Sequence, residues 1–268
     1  MRRVLGIDVD DALVEKWKTW LAPARQPFFV EGGNPDREMS PHLWDTYHVW
    51  RTDKSLGVVW LDEDEFFALP RTERARLVRQ QQRAGRGAVP TVRAWPEVVD
   101  ARAQADGHRF VWWPSMMTTD IILRHVSEDR MTSRHRDVPA TTWRHLPAAR
   151  ALAGTFVAEG SGPNCFSTVM AAAGLEETVE RYSEREPFDE WLATACRRGG
   201  QDHQAGTVWV WRTRDGLSFH AAITLGDGWV LEKPSREWSS PRTVASAADL
   251  LRRNRHPGER LERHRLRD

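Results

Sequence analysis

Residues 160–174 read Gly160-Ser161-Gly162-Pro163-Asn164-Cys165-Phe166-Ser167-Thr168-Val169-Met170-Ala171-Ala172-Ala173-Gly174, a loop of small residues that leads a cysteine into an apolar segment. The apolar residues after the cysteine recur at helical spacing, which predicts a helix with one buried face. Cys165 is then expected in the first turn. Free backbone N–H groups and the positive end of the helix dipole stabilise a thiolate there, and they can also hold an oxyanion. The alternative interpretation is that Cys165 is a small buried apolar residue.

Three predicted strands follow this helix, and tight turns at Asp215-Gly216 and Gly226-Asp227-Gly228 join them. They span residues 206–211, 217–225 and 229–233. His220 lies at the beginning of the middle strand, where alternation places it on one face with Ala222 and Thr224. We expect the Cys165 helix to pack on that face and to bring the thiol to the imidazole. Glu232, on the third strand, is expected across from His220, where it can orient the ring.

The order of these residues resembles the NlpC-type branch of the papain-like cysteine peptidases and amidases, over about residues 160–244. The resemblance implies an α+β fold in which a helix packs on an antiparallel sheet. It implies Cys165 as nucleophile, His220 as general base and Glu232 as the third, orienting residue. The chemistry implied is acyl transfer through a Cys165 thioester, on an amide or ester of a small-molecule or peptide substrate. Hydrolysis and amide formation both stay open as outcomes.

Candidate substrate-binding residues lie in three places. Asn164 and Ser167 flank the nucleophile in the loop and first turn. Lys233 and Arg236, in or next to a long loop that follows the third strand, are suited to hold a carboxylate or phosphate. Trp112 and Trp113 lie in an apolar run that fits either a substrate groove or an interdomain core.

The totals describe an ordinary globular chain of 268 residues, with 40% hydrophobic and 29% charged residues and a formal charge of +1. No stretch approaches the ~20 apolar residues of a membrane span, and early aspartates interrupt any secretory core, so a cytoplasmic protein without membrane partners is predicted. Cys165 and Cys196 are the only cysteines, which excludes a disulfide framework. Cys196 is expected to pack on a helix. No cofactor and no metal are predicted, and the oligomeric state is left open.

Residues 1–147 are predicted to form a separate tryptophan-rich region of mixed α/β character, and residues 148–268 the papain-like domain. Helices are expected over 9–21, 70–84 and 118–126, and strands over 57–61, 110–113 and, at the end of the chain, 260–266. A loop is expected from Gln26 to Pro41. The acidic run 62–65 is interpreted as the start of a helix rather than as a metal site.

Two other functions remain possible on the sequence alone. One is a papain-like scaffold without activity that serves as a binding module. The other is an RNA- or anion-binding protein that uses the arginine-rich helix 70–84, although the near-zero net charge makes a nucleic-acid partner the less favoured prediction. Asp202 and His203 form a rival acid–base pair in a glycine-rich connector, where exposure to solvent is the simpler interpretation.

Overall fold

The computed structural model describes residues 1–98, 107–255 and 257–267. Contacts divide the chain into two compact units. The sheet unit comprises Met1–Val9 and Val126–Asp268, and the tryptophan-rich unit comprises Asp10–His125. Both contain helices and antiparallel strands, so the α+β class holds.

The secondary structure of the described residues is as follows. The strands are β1 (Arg2–Val4), β2 (Ile7–Val9), β3 (Arg25–Val30), β4 (Gly57–Asp62), β5 (Cys196–Arg198), β6 (Thr207–Arg212), β7 (Ser218–Gly226), β8 (Trp229–Glu232), β9 (Thr243–Ser246) and β10 (Arg260–Leu266). The α-helices are α1 (Asp11–Leu21), α2 (Pro41–Thr46), α3 (Glu63–Ala68), α4 (Arg71–Arg83), α5 (Thr119–Ser127), α6 (Pro147–Leu152), α7 (Cys165–Ala172), α8 (Arg185–Ala195) and α9 (Ala247–Arg253). Short 3₁₀ turns are Val49–Arg51, Pro114–Met116, Thr142–His145 and Glu176–Thr178.

The sheet unit is built on a six-stranded sheet in the order β5-β10-β6-β7-β8-β9, with every neighbouring pair antiparallel. The predicted meander β6-β7-β8 is confirmed, including its glycine turn. Asp227 adopts φ +52° between two glycines of positive φ, a conformation that aspartate tolerates better than most residues. The terminal strand is confirmed at its predicted bounds, and it inserts between β5 and β6.

The two faces of this sheet pack against different helices. One face carries Ala221, Ile223 and Leu225 in a large apolar cluster with residues of α7 and α8. The opposite face carries Ala222, Trp209 and Trp211 in a smaller cluster with Leu250 of α9. All eight residues of α7 are buried, so the helix is enclosed all round rather than on one face as predicted.

The division of the chain falls at His125/Val126 rather than at residue 147, and the first nine residues belong to the sheet unit. Hydrogen bonds explain both differences. Ser133 N–H donates to Leu5 O at 2.8 Å, which ties the β1-β2 hairpin to the segment after residue 126. Arg134 N–H in turn donates to Val244 O of β9 at 2.8 Å. The segment before residue 147 is therefore bound to the main sheet.

The tryptophan-rich unit contains the antiparallel pair β3-β4. The side chain of Gln81, on α4, pairs with β3 like a further strand residue. Phe29 N–H donates to Gln81 Oε1 at 2.7 Å, and Gln81 Nε2 donates to Phe29 O at 3.1 Å. Strand β3 lies where the sequence predicted a loop, and residues 110–113, predicted as a strand, are not in one.

The acidic run begins helix α3, as predicted. Asp62 is the N-cap, and its side chain accepts a hydrogen bond from Glu65 N–H. The side chain of Glu65 in turn accepts a hydrogen bond from Asp62 N–H. This reciprocal capping satisfies two donors that a helix start otherwise leaves unpaired. Among the described residues there is no helix with the length and apolar character that a membrane crossing requires.

Candidate active site

Cys165 is the first residue of helix α7, as predicted. Asn164 is the N-cap: its Oδ1 accepts from Ser167 N–H at 3.1 Å, and Asn164 N–H donates to Ser167 Oγ at 2.8 Å. Asn164 Nδ2 also donates to Ser183 O at 2.7 Å, which anchors the helix start to the segment before α8. The cysteine is therefore held at a fixed helix terminus.

This capping box leaves two donors beside the sulfur. The first four N–H groups of a helix have no partner within the helix. Asn164 and Ser167 use theirs on each other, while the N–H groups of Cys165 and Phe166 have no acceptor within the described residues. A helix terminus with two free N–H groups next to a nucleophile can hold a developing oxyanion.

The expectation that α7 packs on the face of His220 is wrong. Ala221, Ile223 and Leu225 pack with the helix, whereas His220 pairs across to Trp211 on the other face, with ring centroids 5.1 Å apart. Cys165 and His220 nevertheless meet, since one begins a helix and the other lies near the beginning of β7, so neither has to reach across the sheet.

His220 contacts both of its predicted partners. The Cys165 side chain lines the same cleft and lies close enough to the ring to raise its pKa, and His220 Nε2 donates to Glu232 Oε2 at 2.9 Å. Because Glu232 engages Nε2, Nδ1 is the ring nitrogen that remains for the sulfur. The cysteine, histidine and glutamate are 8%, 8% and 1% exposed, so the contacts form in a region of little water.

The surroundings keep the imidazole charged. Burial alone lowers the pKa of a histidine because it disfavours the cation. The hydrogen bonds to Cys165 and Glu232 and the negative charges of both groups outweigh burial, and they raise the pKa of His220 to about 10. The ring therefore carries a proton at neutral pH.

Asn254 is a member of the site that the sequence did not reveal. Its Nδ2 donates to Glu232 Oε2 at 3.3 Å, the same oxygen that accepts from His220. Asn254 is the C-cap of α9, and an asparagine after a helix is common enough that no motif singles it out. It fixes the orientation of the glutamate that holds the imidazole.

The cysteine and histidine open on a cleft of about 450 Å³ within the sheet unit. Aromatic rings of Tyr182 and Phe219 line it, and both are partly exposed. The charged residues that line it are Glu184, Arg185, Glu186 and Arg236. A pocket of this size and mixed lining fits a small substrate or a peptide segment.

The predicted substrate-binding residues separate into two groups. Arg236 and Asn164 line the cleft, and the Arg236 guanidinium lies 5.0 Å from the ring centroid of Tyr182. Ser167 is buried in the capping box. Lys233 is fully buried, and its Nζ donates to Ser235 O at 2.6 Å and to Glu237 O at 3.1 Å. Ser167 and Lys233 are therefore buried and are not among the residues that line the cleft.

Trp112 and Trp113 form part of the core of the tryptophan-rich unit rather than an open groove. Both are at most 1% exposed. Trp112 lies edge-on to Trp95 and Phe110, with centroids 4.9 and 4.7 Å away, and Trp113 lies 5.2 Å from Phe66. Their packing explains why this polar stretch of chain is rich in tryptophan.

In the rival pair, the hydrogen bonds of Asp202 go to Arg263 and Trp209 rather than to His203. Asp202 accepts from Arg263 Nε and Nη2 at 2.6 and 2.9 Å and from Trp209 Nε1 at 3.0 Å. The hydrogen bond to Arg263 is the main cause that lowers the pKa of Asp202. Over residues 1–98, 107–255 and 257–267, no three His, Cys, Asp or Glu side chains group in a way that could hold a metal ion.

Replacing Asn164 by alanine is expected to destabilise the protein by about 1–2 kcal/mol, because the helix loses its N-cap and Ser183 O loses a donor. Urea unfolding measures the change. Asn164→Asp is the matched control, since a carboxylate oxygen still accepts from Ser167 N–H while the donor to Ser183 is lost, and an intermediate loss is expected. Equal stability of wild type and N164A would contradict this role.

The comparisons with known proteins return no relative. No family model, no curated protein and no solved structure matches the chain. The geometry of the site therefore carries the functional argument.

Proposed function

We propose that the protein is a cysteine-nucleophile amidohydrolase, peptidase or acyltransferase that transfers an acyl group through a Cys165 thioester. The observation that carries the proposal is the buried imidazole of His220, which contacts the cysteine on one side and a carboxylate on the other. A nucleophile, a base and a group that orients the base form the usual arrangement for nucleophilic catalysis. The helix with Cys165 at its start, packed on an antiparallel sheet, supports a papain-like scaffold of the NlpC type.

In the proposed reaction, His220 holds the thiol proton and Cys165 reacts as a thiolate. The sulfur attacks the carbonyl carbon of an amide or ester, and the carbonyl π electrons move to oxygen. The N–H groups of Cys165 and Phe166 stabilise that oxyanion. His220 then gives its proton to the leaving amine or alcohol as the C–N or C–O bond breaks, which leaves a thioester.

The second half of the reaction regenerates the thiolate. His220, now neutral, accepts a proton from water or from an amine as that molecule attacks the thioester carbonyl. The C–S bond breaks, and the product is a carboxylic acid or an amide. General-base assistance of this kind contributes about 10²–10⁴ in rate.

Alkylation by iodoacetamide tests the proposed nucleophile. In the native protein at neutral pH, Cys165 is expected to react and Cys196 is not. Cys196 is 2% exposed, and burial raises the pKa of its thiol to about 11, so little thiolate is present. Peptide mass spectrometry assigns the modified residue.

The variant His220→Ala is the control for the proposed pair. Its Cys165 is expected to alkylate more slowly, because the imidazolium that stabilises the thiolate is gone. If Cys165 of the wild-type protein does not react, or if its rate is unchanged in H220A, an inactive papain-like binding module becomes the better description.

A further inference from the structure

A second cavity, of about 590 Å³, lies at the β5 edge of the main sheet. The charged and titratable residues that line it are mostly cationic: Arg197, Arg198, Arg212, Arg267, His264 and Asp189. Leu192 and Ala193 of α8 add an apolar wall. The proposed acyl transfer uses none of these residues.

Arg212 contacts the two carboxylates near this cavity, those of Glu262 and Asp189. Arg212 Nε donates to Glu262 Oε2 at 2.7 Å, and its Nη2 lies 3.5 Å from Asp189 Oδ1. Arg267 Nε donates to the carbonyl of Cys196 at 3.1 Å, a contact that does not neutralise its charge. Within the described parts of the chain, Arg197, Arg198 and Arg267 have no carboxylate partner. The cavity therefore carries uncompensated positive charge.

His264 faces the same charge from the neighbouring strand. It is directly opposite Arg198 in the β5-β10 pairing and is 7% exposed. Its Nε2 lies 3.4 Å from Glu262 Oε2, which is longer than an ordinary N–H···O hydrogen bond. Burial first, and then the charges of Arg212 and Arg198, lower the pKa of His264 against the opposing effect of Glu262. A neutral imidazole retains one N–H that can donate to a ligand.

We propose that this cavity binds a small multivalent anion of the phosphate class, with Arg198, Arg267 and His264 as its ligands. Guanidinium groups match phosphate oxygens in charge and in planar geometry. The volume is that of a small-molecule site, and a bound anion would compensate the excess positive charge. The site is independent of Cys165, so it stands or falls separately from the proposed acyl transfer.

Titration with inorganic pyrophosphate tests the site in the full-length protein. The total ionic strength is held constant with sodium chloride, and the imidazole C–H resonance of His264 is followed by NMR after assignment with His264→Gln. Saturable binding and a higher pKa of His264 in the bound form are expected, because the anion stabilises the imidazolium. A parallel titration with glycerol phosphate shows whether the site also accepts the phosphoryl group of a larger molecule.

Arg198→Ala is expected to weaken pyrophosphate binding about tenfold or more, the effect of losing one charge-assisted contact. Arg252→Ala is the matched control. Its side chain is 78% exposed and pairs with Asp249 on α9, which packs on the other face of the sheet. Arg212 is left intact, because its partner Asp189 accepts from Ser218 Oγ in the catalytic cleft. A response that does not saturate, or equal affinity in R198A and R252A, would overturn the proposal.

Discussion

Replacing Cys165 by alanine is expected to abolish acyl transfer and to leave the fold intact. Loss of the nucleophile removes the covalent route completely, and enzymes whose nucleophile and base act as a unit lose about 10⁶ in turnover on such a change. Here we expect a loss of at least about 10⁴. The activated ester p-nitrophenyl acetate serves as the probe: the wild type should release p-nitrophenol in a burst and gain one acetyl group by intact-protein mass spectrometry.

Cys196→Ala provides the matched control, because it removes the only other thiol. Cys196 packs in the apolar cluster under α7 and α8, so C196A should keep the burst and lose only some stability. Thermal unfolding of C165A should match the wild type closely. A burst of undiminished size in C165A, or acetylation that maps to another residue, would refute the assignment of the nucleophile.

The C165A variant also tests whether Cys165 and His220 interact electrostatically or are merely adjacent in the structure. The hydrogen bond and the negative charge of Cys165 are among the causes that raise the pKa of His220. Alanine removes both, so the pKa of His220 should fall in C165A and stay unchanged in C196A. The measurement is the pH titration of the imidazole C–H resonance.

The elements that local chemistry specifies were predictable from the sequence. Glycine and aspartate in the turns, with strand-forming residues between them, set the β6-β7-β8 meander. The position of Cys165 followed from Pro163 and the apolar helix after it. The expected grouping of Cys165, His220 and Glu232 followed from these elements, and in the structure the three side chains lie together.

Other features depend on partners far apart in the chain. Strand β3 contains Pro27, which argues against a strand, yet β4 and the side chain of Gln81 supply its pairing. The division between the units depends on hydrogen bonds of Leu5 and Val244 to residues near 133, and no local signal encodes them. Local sequence patterns therefore predicted the helices and strands better than they predicted which segments pack or pair with each other.

The wrong packing face of α7 has a specific cause. The prediction assumed that a cysteine and a histidine in contact must lie on the same side of the sheet. The register places His220 beside Trp211, opposite the face that α7 covers. The two side chains meet because each lies at the end of its element, a possibility that strand alternation alone does not reveal.

Replacing Glu232 by glutamine is expected to lower the pKa of His220 from its value of about 10 by about one to three units. Glutamine keeps an oxygen that can accept from Nε2, so the change removes charge rather than the hydrogen bond. The NMR titration of the His220 ring measures the shift. Glu190→Gln, which removes a surface carboxylate of α8, is the control and should leave the titration unchanged.

The same substitution should change stability in a defined pH window. A histidine whose pKa is raised by folding stabilises the native state fully below its unfolded pKa of about 6.5. That stabilisation is lost as pH rises through the folded value of about 10. The free energy of unfolding lost in E232Q should therefore be larger near pH 6 than near pH 10. These two pH values lie near the unfolded and folded pKa values of His220.

Urea unfolding of wild type, E232Q and E190Q at both pH values completes the test. If E232Q loses the same stability at each pH, the glutamate acts through packing alone, and its charge does not hold His220 in the protonated state. If the loss follows the titration of the ring, the buried carboxylate is what keeps the imidazole charged beside Cys165. Burying the charged carboxylate of Glu232 is unfavourable in itself. In that case, its charge has a defined role, because it sets the protonation state of His220 on which the proposed chemistry depends.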